Sequence, residues 1–125
     1  MRYRQRGLGL NVQRLLNAFL YSIAGLKTAY QHEPAFLIEV WLAALFIPIA
    51  CYLPVGTLGQ ALLIGSILLV LIVELINSSI EAVVDRISSE WHELAKRAKD
   101  CGSAAVLISL INVLVIWGIV LSTLV

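Results

Sequence analysis

Charge is scarce in this chain. Of its 125 residues only 14% are Asp, Glu, Lys or Arg, while 60% are hydrophobic. A soluble domain of this size would lack the polar surface to cover its core, so the composition predicts residence in a membrane. The formal charge of +1 gives no reason to expect a nucleic-acid partner. Cysteine is nearly absent. The two present, Cys51 and Cys101, fall near opposite faces of the expected membrane, too far apart for an intrachain disulfide, and both read as packing thiols. No Cys/His spacing suggests a zinc or iron–sulfur site. Also missing are a GxxxxGK[ST] loop and a kinase-type glycine loop, so any nucleotide site must be of another kind. No cleavable leader is evident, because the first apolar stretch is amphipathic rather than a compact hydrophobic block. There is no internal repeat.

The few charges are confined. None lies between Val40 and Val73 and none after Asp100. The uncharged runs predict three membrane spans, at about 36–53, 58–80 and 102–124, each near the roughly 20 residues a bilayer requires. Arg2, Arg4, Arg6, Arg14 and Lys27 precede the first span, and Arg86, Lys96, Arg97 and Lys99 separate the second from the third. The connector from Pro54 to Gln60 is uncharged. Positive charge collects on the cytoplasmic side, which predicts a cytoplasmic N-terminus, a cytoplasmic 81–101 segment and an outward C-terminus.

Ahead of the spans, Val12, Leu15, Leu16, Phe19, Leu20, Ile23 and Leu26 recur at steps of three and four, with Gln13, Arg14, Asn17, Lys27 and Thr28 in other sectors. This pattern predicts an amphipathic helix over about 11–31 lying in the membrane interface. His32-Glu33-Pro34 breaks it, since a residue before proline leaves the α region and proline suits the first turn of a new helix. Taken alone, Glu33 reads as a solvated carboxylate at a helix start. Pro48 is a candidate kink in the first span. The segment from Glu81 to Arg97 has neither proline nor glycine and reads as a helix-compatible stalk continuing the second span, and Ser103-Ala-Ala105 reads as an opening to the third that permits close packing.

Most informative is the run Glu74-Leu-Ile-Asn-Ser-Ser-Ile-Glu-Ala-Val-Val-Asp85. On a helix, Glu74, Asn77, Ser78, Glu81 and Asp85 fall at i, i+3, i+4, i+7 and i+11, which is one narrow stripe. A carboxylate near the bilayer centre costs roughly 2.5–3.5 kcal/mol. Two of them with an amide call for a compensating metal, proton path or polar substrate. Glu74 lies about 10 Å along the helix from Glu81, so the two sit at different depths. Glu81, nearer water, suits a divalent cation that arrives with a phosphate ligand. Glu74, deeper and drier, suits a proton acceptor for a lipid hydroxyl. Lys99, at the membrane edge, suits phosphate charge. Lys96 and Arg97 equally serve topology or anionic lipid, and His92 alone reads as a surface histidine. From the residues two classes stand open: an enzyme acting on a lipid at the cytoplasmic interface, or a small proton- or ion-conducting subunit relaying protons through Glu74. The stripe fills only the cytoplasmic half of one span, which leans toward the enzyme.

The stretches from Glu74 to Ile87 and from Ser89 to Ala105, with Gly25-Leu-Lys27 and Glu33-Pro-Ala-Phe36, resemble the prokaryotic diacylglycerol kinase family over nearly the whole chain. The resemblance implies an all-α membrane protein, one domain over 1–125, with an N-terminal amphipathic surface helix, three transmembrane helices and homotrimeric assembly in the bacterial inner membrane. It implies an ATP-dependent lipid kinase that moves the γ-phosphate of MgATP to diacylglycerol and gives phosphatidic acid. Glu74 then looks like the catalytic base, supported by Asn77 and Lys99, and Glu33 and Glu81 like the ligands of Mg2+. Arg14, Tyr21, Glu33, Glu81, Glu90, Trp91, His92, Lys99 and Asp100 match positions around ATP. Arg14, Ala18, Ser22, Ala35, Glu39, Glu74 and Ser103 match positions around the lipid. Such sites are shared between neighbouring subunits. A related branch phosphorylates undecaprenol; the segment Arg97–Ser103 and the His-Glu-Leu after Trp91 look more like the diacylglycerol branch.

Overall fold

A computed structural model describes residues 11–125; Arg2, Arg4 and Arg6, which the topology reading uses, lie outside the described residues. The described chain is all helical: α1 (Val12–His32), α2 (Pro34–Tyr52), α3 (Gly56–Ile87) and α4 (Glu93–Ser122). The last three are long and apolar enough to cross a membrane. Helices suit that medium because each satisfies its own backbone polar groups internally.

Local chemistry sets each boundary. Asn11 caps α1 by accepting from the Gln13 amide at 3.0 Å, as a short polar side chain does at an N-cap. Glu33, extended at φ −111° and ψ 101°, ends α1 through its own N–H to the Ala29 carbonyl, and Pro34 opens α2 at its first position. Helix α2 runs on through Pro48. The α2–α3 turn closes on Gly56, whose φ of +77° favours a residue without Cβ. Gln60 donates from Nε2 to the Cys51 carbonyl at 3.0 Å, capping the end of α2 from the start of α3.

One expectation needs correction. The stalk from Glu81 to Arg97 is not continuous: α3 ends at Ile87, Ser88 is extended, and α4 begins only at Glu93. The break has a polar cause. Ser88 Oγ accepts the Glu90 amide at 3.0 Å, and His92 Nδ1 accepts the Leu94 amide at 3.0 Å. Such side-chain bonds offer the backbone an alternative to helix, which propensity alone does not reveal. At the start of the third span the side chains of Ser103, Ala104 and Ala105 are exposed, and Gly102 is buried against Asn77 of α3.

The helices meet along regular seams. On α3, Leu63, Ser66, Ile67, Val70, Glu74 and Asn77 are buried; on α4, Gly102, Ser109 and Val120; on α2, Phe36, Ala43 and Ala50. Steps of three, four, seven and eleven, with Ser66 and Ile67 adjacent, keep these residues on one side of each helix. The apolar core is small and sits at the α2–α3 turn end, where Ala50, Leu63 and Val120 pack together with Trp117 and Ile116 beside them. Phe46 meets Trp117 edge to face, ring centroids 5.5 Å apart. Large apolar side chains elsewhere, such as Trp41, Ile72, Ile108 and Leu114, are exposed on the spanning helices. In a hydrocarbon medium that outward sheath is the favoured arrangement. Helix α3, at 32 residues, is about 48 Å long, well beyond the roughly 30 Å of hydrocarbon. Its C-terminal turns, with the start of antiparallel α4, therefore project past the apolar layer.

Candidate functional site

Helix α3 carries the polar stripe as a gradient of depth. Glu74 is 6% exposed and Asn77 8%, Ser78 and Glu81 are half-buried, and Asp85 is exposed. The polar groups therefore face protein where they lie deepest. Among the described residues no cation and no hydrogen-bond donor meets Glu74. Its carboxylate instead lies within electrostatic reach of Glu81 and Glu33, and Glu39 lies within reach of Glu74. Four acidic side chains from three elements, the α1–α2 elbow, α2 and α3, thus share one region. Like charges crowded this way are unfavourable unless something positive joins them.

Each carboxylate is positioned by its backbone. Glu33 occupies the N-cap of α2, yet its side chain makes no capping bond, so the carboxylate is left for another partner. Glu39, one and a half turns into α2, has an Oε2 that is buried without a hydrogen bond. Glu81 receives Asn77 Nδ2 at 3.5 Å, the outer limit of a hydrogen bond. Two further buried polar atoms on the stripe, Asn77 Oδ1 and Ser78 Oγ, have no partner. Buried polar atoms in folded proteins are overwhelmingly paired, so these three unpaired atoms make the stripe the candidate place for a polar ligand. Among the described residues no group of three or more His, Cys, Asp or Glu gathers as a complete metal cage.

Beyond the apolar layer, Lys99 Nζ donates to Asp85 Oδ1 at 2.6 Å and Lys96 Nζ to Asp100 Oδ2 at 2.5 Å. The first pair ties α3 to α4 across the polar break. Glu90, Trp91 and His92 together line an open hollow of about 510 Å³ beside that break. Ser22 and Glu33 line a second groove, of about 700 Å³, running between α1 and α3 past Ser78. Glu39 closes one end of an apolar cleft of about 300 Å³ among α2, α3 and α4, lined by Ala43, Phe46, Val70 and Trp117.

Other expected site residues do not converge within one chain. Tyr21 is 73% exposed, and Arg14, Ala18, Ala35 and Ser103 are exposed, lining none of these hollows. Ser22 spends its hydroxyl on the Ala18 carbonyl. Two contacts at the site escape sequence reasoning. Asp85 and Lys99 are fourteen residues apart, and no helical spacing pairs them. Gly102 abuts Asn77; its sequence signal is its place seven residues before Ser109, on the same face of α4.

Buried acidic side chains on a bundle of helices long and apolar enough to cross a membrane define a membrane protein with a candidate site on α3. Comparison with known proteins carries this to a family. Residues 20–121 match the family described as prokaryotic diacylglycerol kinase, and the chain belongs to it. A diacylglycerol kinase from Escherichia coli (strain K12) is 52% identical over 108 residues, covering 86% of this chain and 88% of the relative. One from Haemophilus influenzae is 46% identical over 116 residues, 93% of this chain and 95% of the relative. Another from Pseudomonas aeruginosa is 48% identical over 110 residues, 88% and 89% of the two chains.

Proposed function

We propose that this protein is a lipid kinase that transfers the γ-phosphoryl group of ATP to the free hydroxyl of diacylglycerol, giving phosphatidic acid and ADP. The observation that carries this reading is Glu74: a carboxylate 6% exposed, without a cation or donor, on the protein-facing seam of a membrane-crossing helix. Family membership and the names of the relatives point to the same acceptor. A proton-conducting subunit would want polar groups along the whole span, whereas the membrane half of α3 from Gly56 to Val73 carries only Thr57, Gln60 and Ser66, and Ser66 spends its hydroxyl on the Leu63 carbonyl.

In the mechanism, the lipid enters sideways from the cytoplasmic leaflet with its hydroxyl at Glu74. Glu74 takes the hydroxyl proton as the lipid oxygen bonds to the γ-phosphorus, and the bond from that phosphorus to the β–γ bridging oxygen breaks in line. No phosphoenzyme intervenes. Glu33 and Glu81 would hold Mg2+, which when bound neutralises charge on the phosphate oxygens. Asn77, its Oδ1 unpaired and its Nδ2 toward Glu81, orients Glu81 and supports Glu74 or the γ-phosphate during transfer. Lys99 meets the phosphates by exchanging its Asp85 partner for them. Glu90, Trp91, His92 and Asp100, with Arg14 and Tyr21, surround the nucleotide. Arg14, Ala18, Ser22, Ala35, Glu39 and Ser103 surround the lipid head group. The exposure of Arg14, Tyr21, Ala35 and Ser103 fits a homotrimer in which each site is completed by a neighbouring subunit. The whole chain acts as one domain in the inner membrane, with α1 as an amphipathic helix in the cytoplasmic interface, the N-terminus cytoplasmic and the C-terminus outward.

The test is incubation of the purified protein with labelled ATP and a panel of lipid alcohols. Labelled phosphatidic acid is expected from diacylglycerol. Labelling of undecaprenol alone would reassign the acceptor. Ion flux in liposomes without ATP, and no labelled lipid, would overturn the kinase reading.

A further inference from the structure

At Gly102 the Asn77 side chain of α3 occupies the space that a Cβ would take, so a methyl group there must displace the Asn77 amide. A Cβ built there would overlap Asn77 Oδ1 and lie 3.2 Å from Asn77 Cγ. Both residues are buried, so neither has solvent into which to retreat. One register further along α4, Ser109 is buried on the same seam, its hydroxyl satisfied within α4 by the Val106 carbonyl. The Asn77 amide is thereby divided: one end lies against the glycine backbone with no donor, the other approaches Glu81 Oε1. A helical side chain has few rotamers free of the preceding turn. Displacing Oδ1 therefore turns Nδ2 away from Glu81.

We infer that Gly102 is a positioning residue for the phosphoryl-transfer site, its missing side chain fixing the Asn77 amide in the orientation that reaches Glu81. The inference rests on the kinase reading for its rate measurement. Glycine at the opening of a span ordinarily serves helix packing alone. Here the packing partner is itself a polar group of the site, and the consequence is read in catalysis.

The experiment compares Gly102→Ala with the wild type and with Gly118→Ala, a control on the same helix where an added Cβ meets nothing within 4 Å. Melting temperature in detergent, kcat, KM for both substrates and the magnesium titration are measured for each. Gly102→Ala is expected to lose at least tenfold in kcat, to require severalfold more magnesium, and to keep KM for the lipid within twofold. Gly118→Ala is expected to match the wild type. If Gly102→Ala fails to fold, the double variant Gly102→Ala/Asn77→Ala is expected to fold, because the shorter side chain clears the new methyl. Wild-type kcat and magnesium dependence in a folded Gly102→Ala overturns the inference, as does a double variant that still fails to fold. A wild-type protein that labels no lipid defeats the kinase reading instead, which separates the two failures.

Discussion

Lys99 Nζ lies 2.6 Å from Asp85 Oδ1, joining the last turns of α3 to the first turns of α4 across a polar break that ends one helix and starts the next. Lys99, which the proposed mechanism assigns to the phosphates, is thus already paired with a carboxylate. Exposed pairs of this kind are weak, because water and salt screen them, so exchange of the carboxylate for phosphate oxygens is inexpensive. Asp85→Asn removes the competitor. The expected result is a KM for ATP lowered by about two- to threefold, with melting temperature nearly unchanged, while Lys99→Met raises it at least tenfold. A tenfold rise with Asp85→Asn would mean that Asp85 itself serves the nucleotide.

The unpaired Glu33 and the half-buried Glu81 are expected to act on metal rather than on stability. Neither takes part in a salt bridge among the described residues, so Glu33→Gln and Glu81→Gln cost no folded-state ion pair. Each is expected to raise the magnesium needed for half-maximal rate by about tenfold, measured by titration at fixed ATP. An unchanged titration for either removes that residue from the metal site.

His92 caps α4 and, in the proposed mechanism, also meets the nucleotide; a substitution can separate the two. Its Nδ1 caps α4, and loss of an N-cap costs about 1 kcal/mol. His92→Ala is expected to lower both the melting temperature and ATP affinity. His92→Asn keeps a capping oxygen, so it is expected to recover the stability but not the KM for ATP. Full recovery of both by asparagine would confine His92 to the cap.

Much of this fold is written in where charge does not occur. The uncharged runs placed all three long helices, the Glu33-Pro34 pair placed the elbow, and the 3.6-residue spacing put Glu74, Asn77 and Glu81 on one face, which is the buried face. The break at Ser88–His92 was not legible, because it depends on two side-chain bonds to backbone amides that compete with an otherwise acceptable helix. The Asp85–Lys99 pair and the Gly102–Asn77 contact were hidden for another reason: both depend on how α3 and α4 register against each other, which periodicity within one helix does not encode. Arg14, Tyr21, Ala18, Ala35 and Ser103 were named by family resemblance, and one chain does not bring them to Glu74.

The most direct measurement is the turnover of Glu74→Gln, an isosteric change that keeps the buried shape and removes the basic oxygen. General bases contribute typically about 10²–10⁴-fold. The expected result is a kcat lower by that range against diacylglycerol, with MgATP binding and melting temperature held at wild-type values. A variant that retains kcat within tenfold of wild type would contradict Glu74 as the proton acceptor.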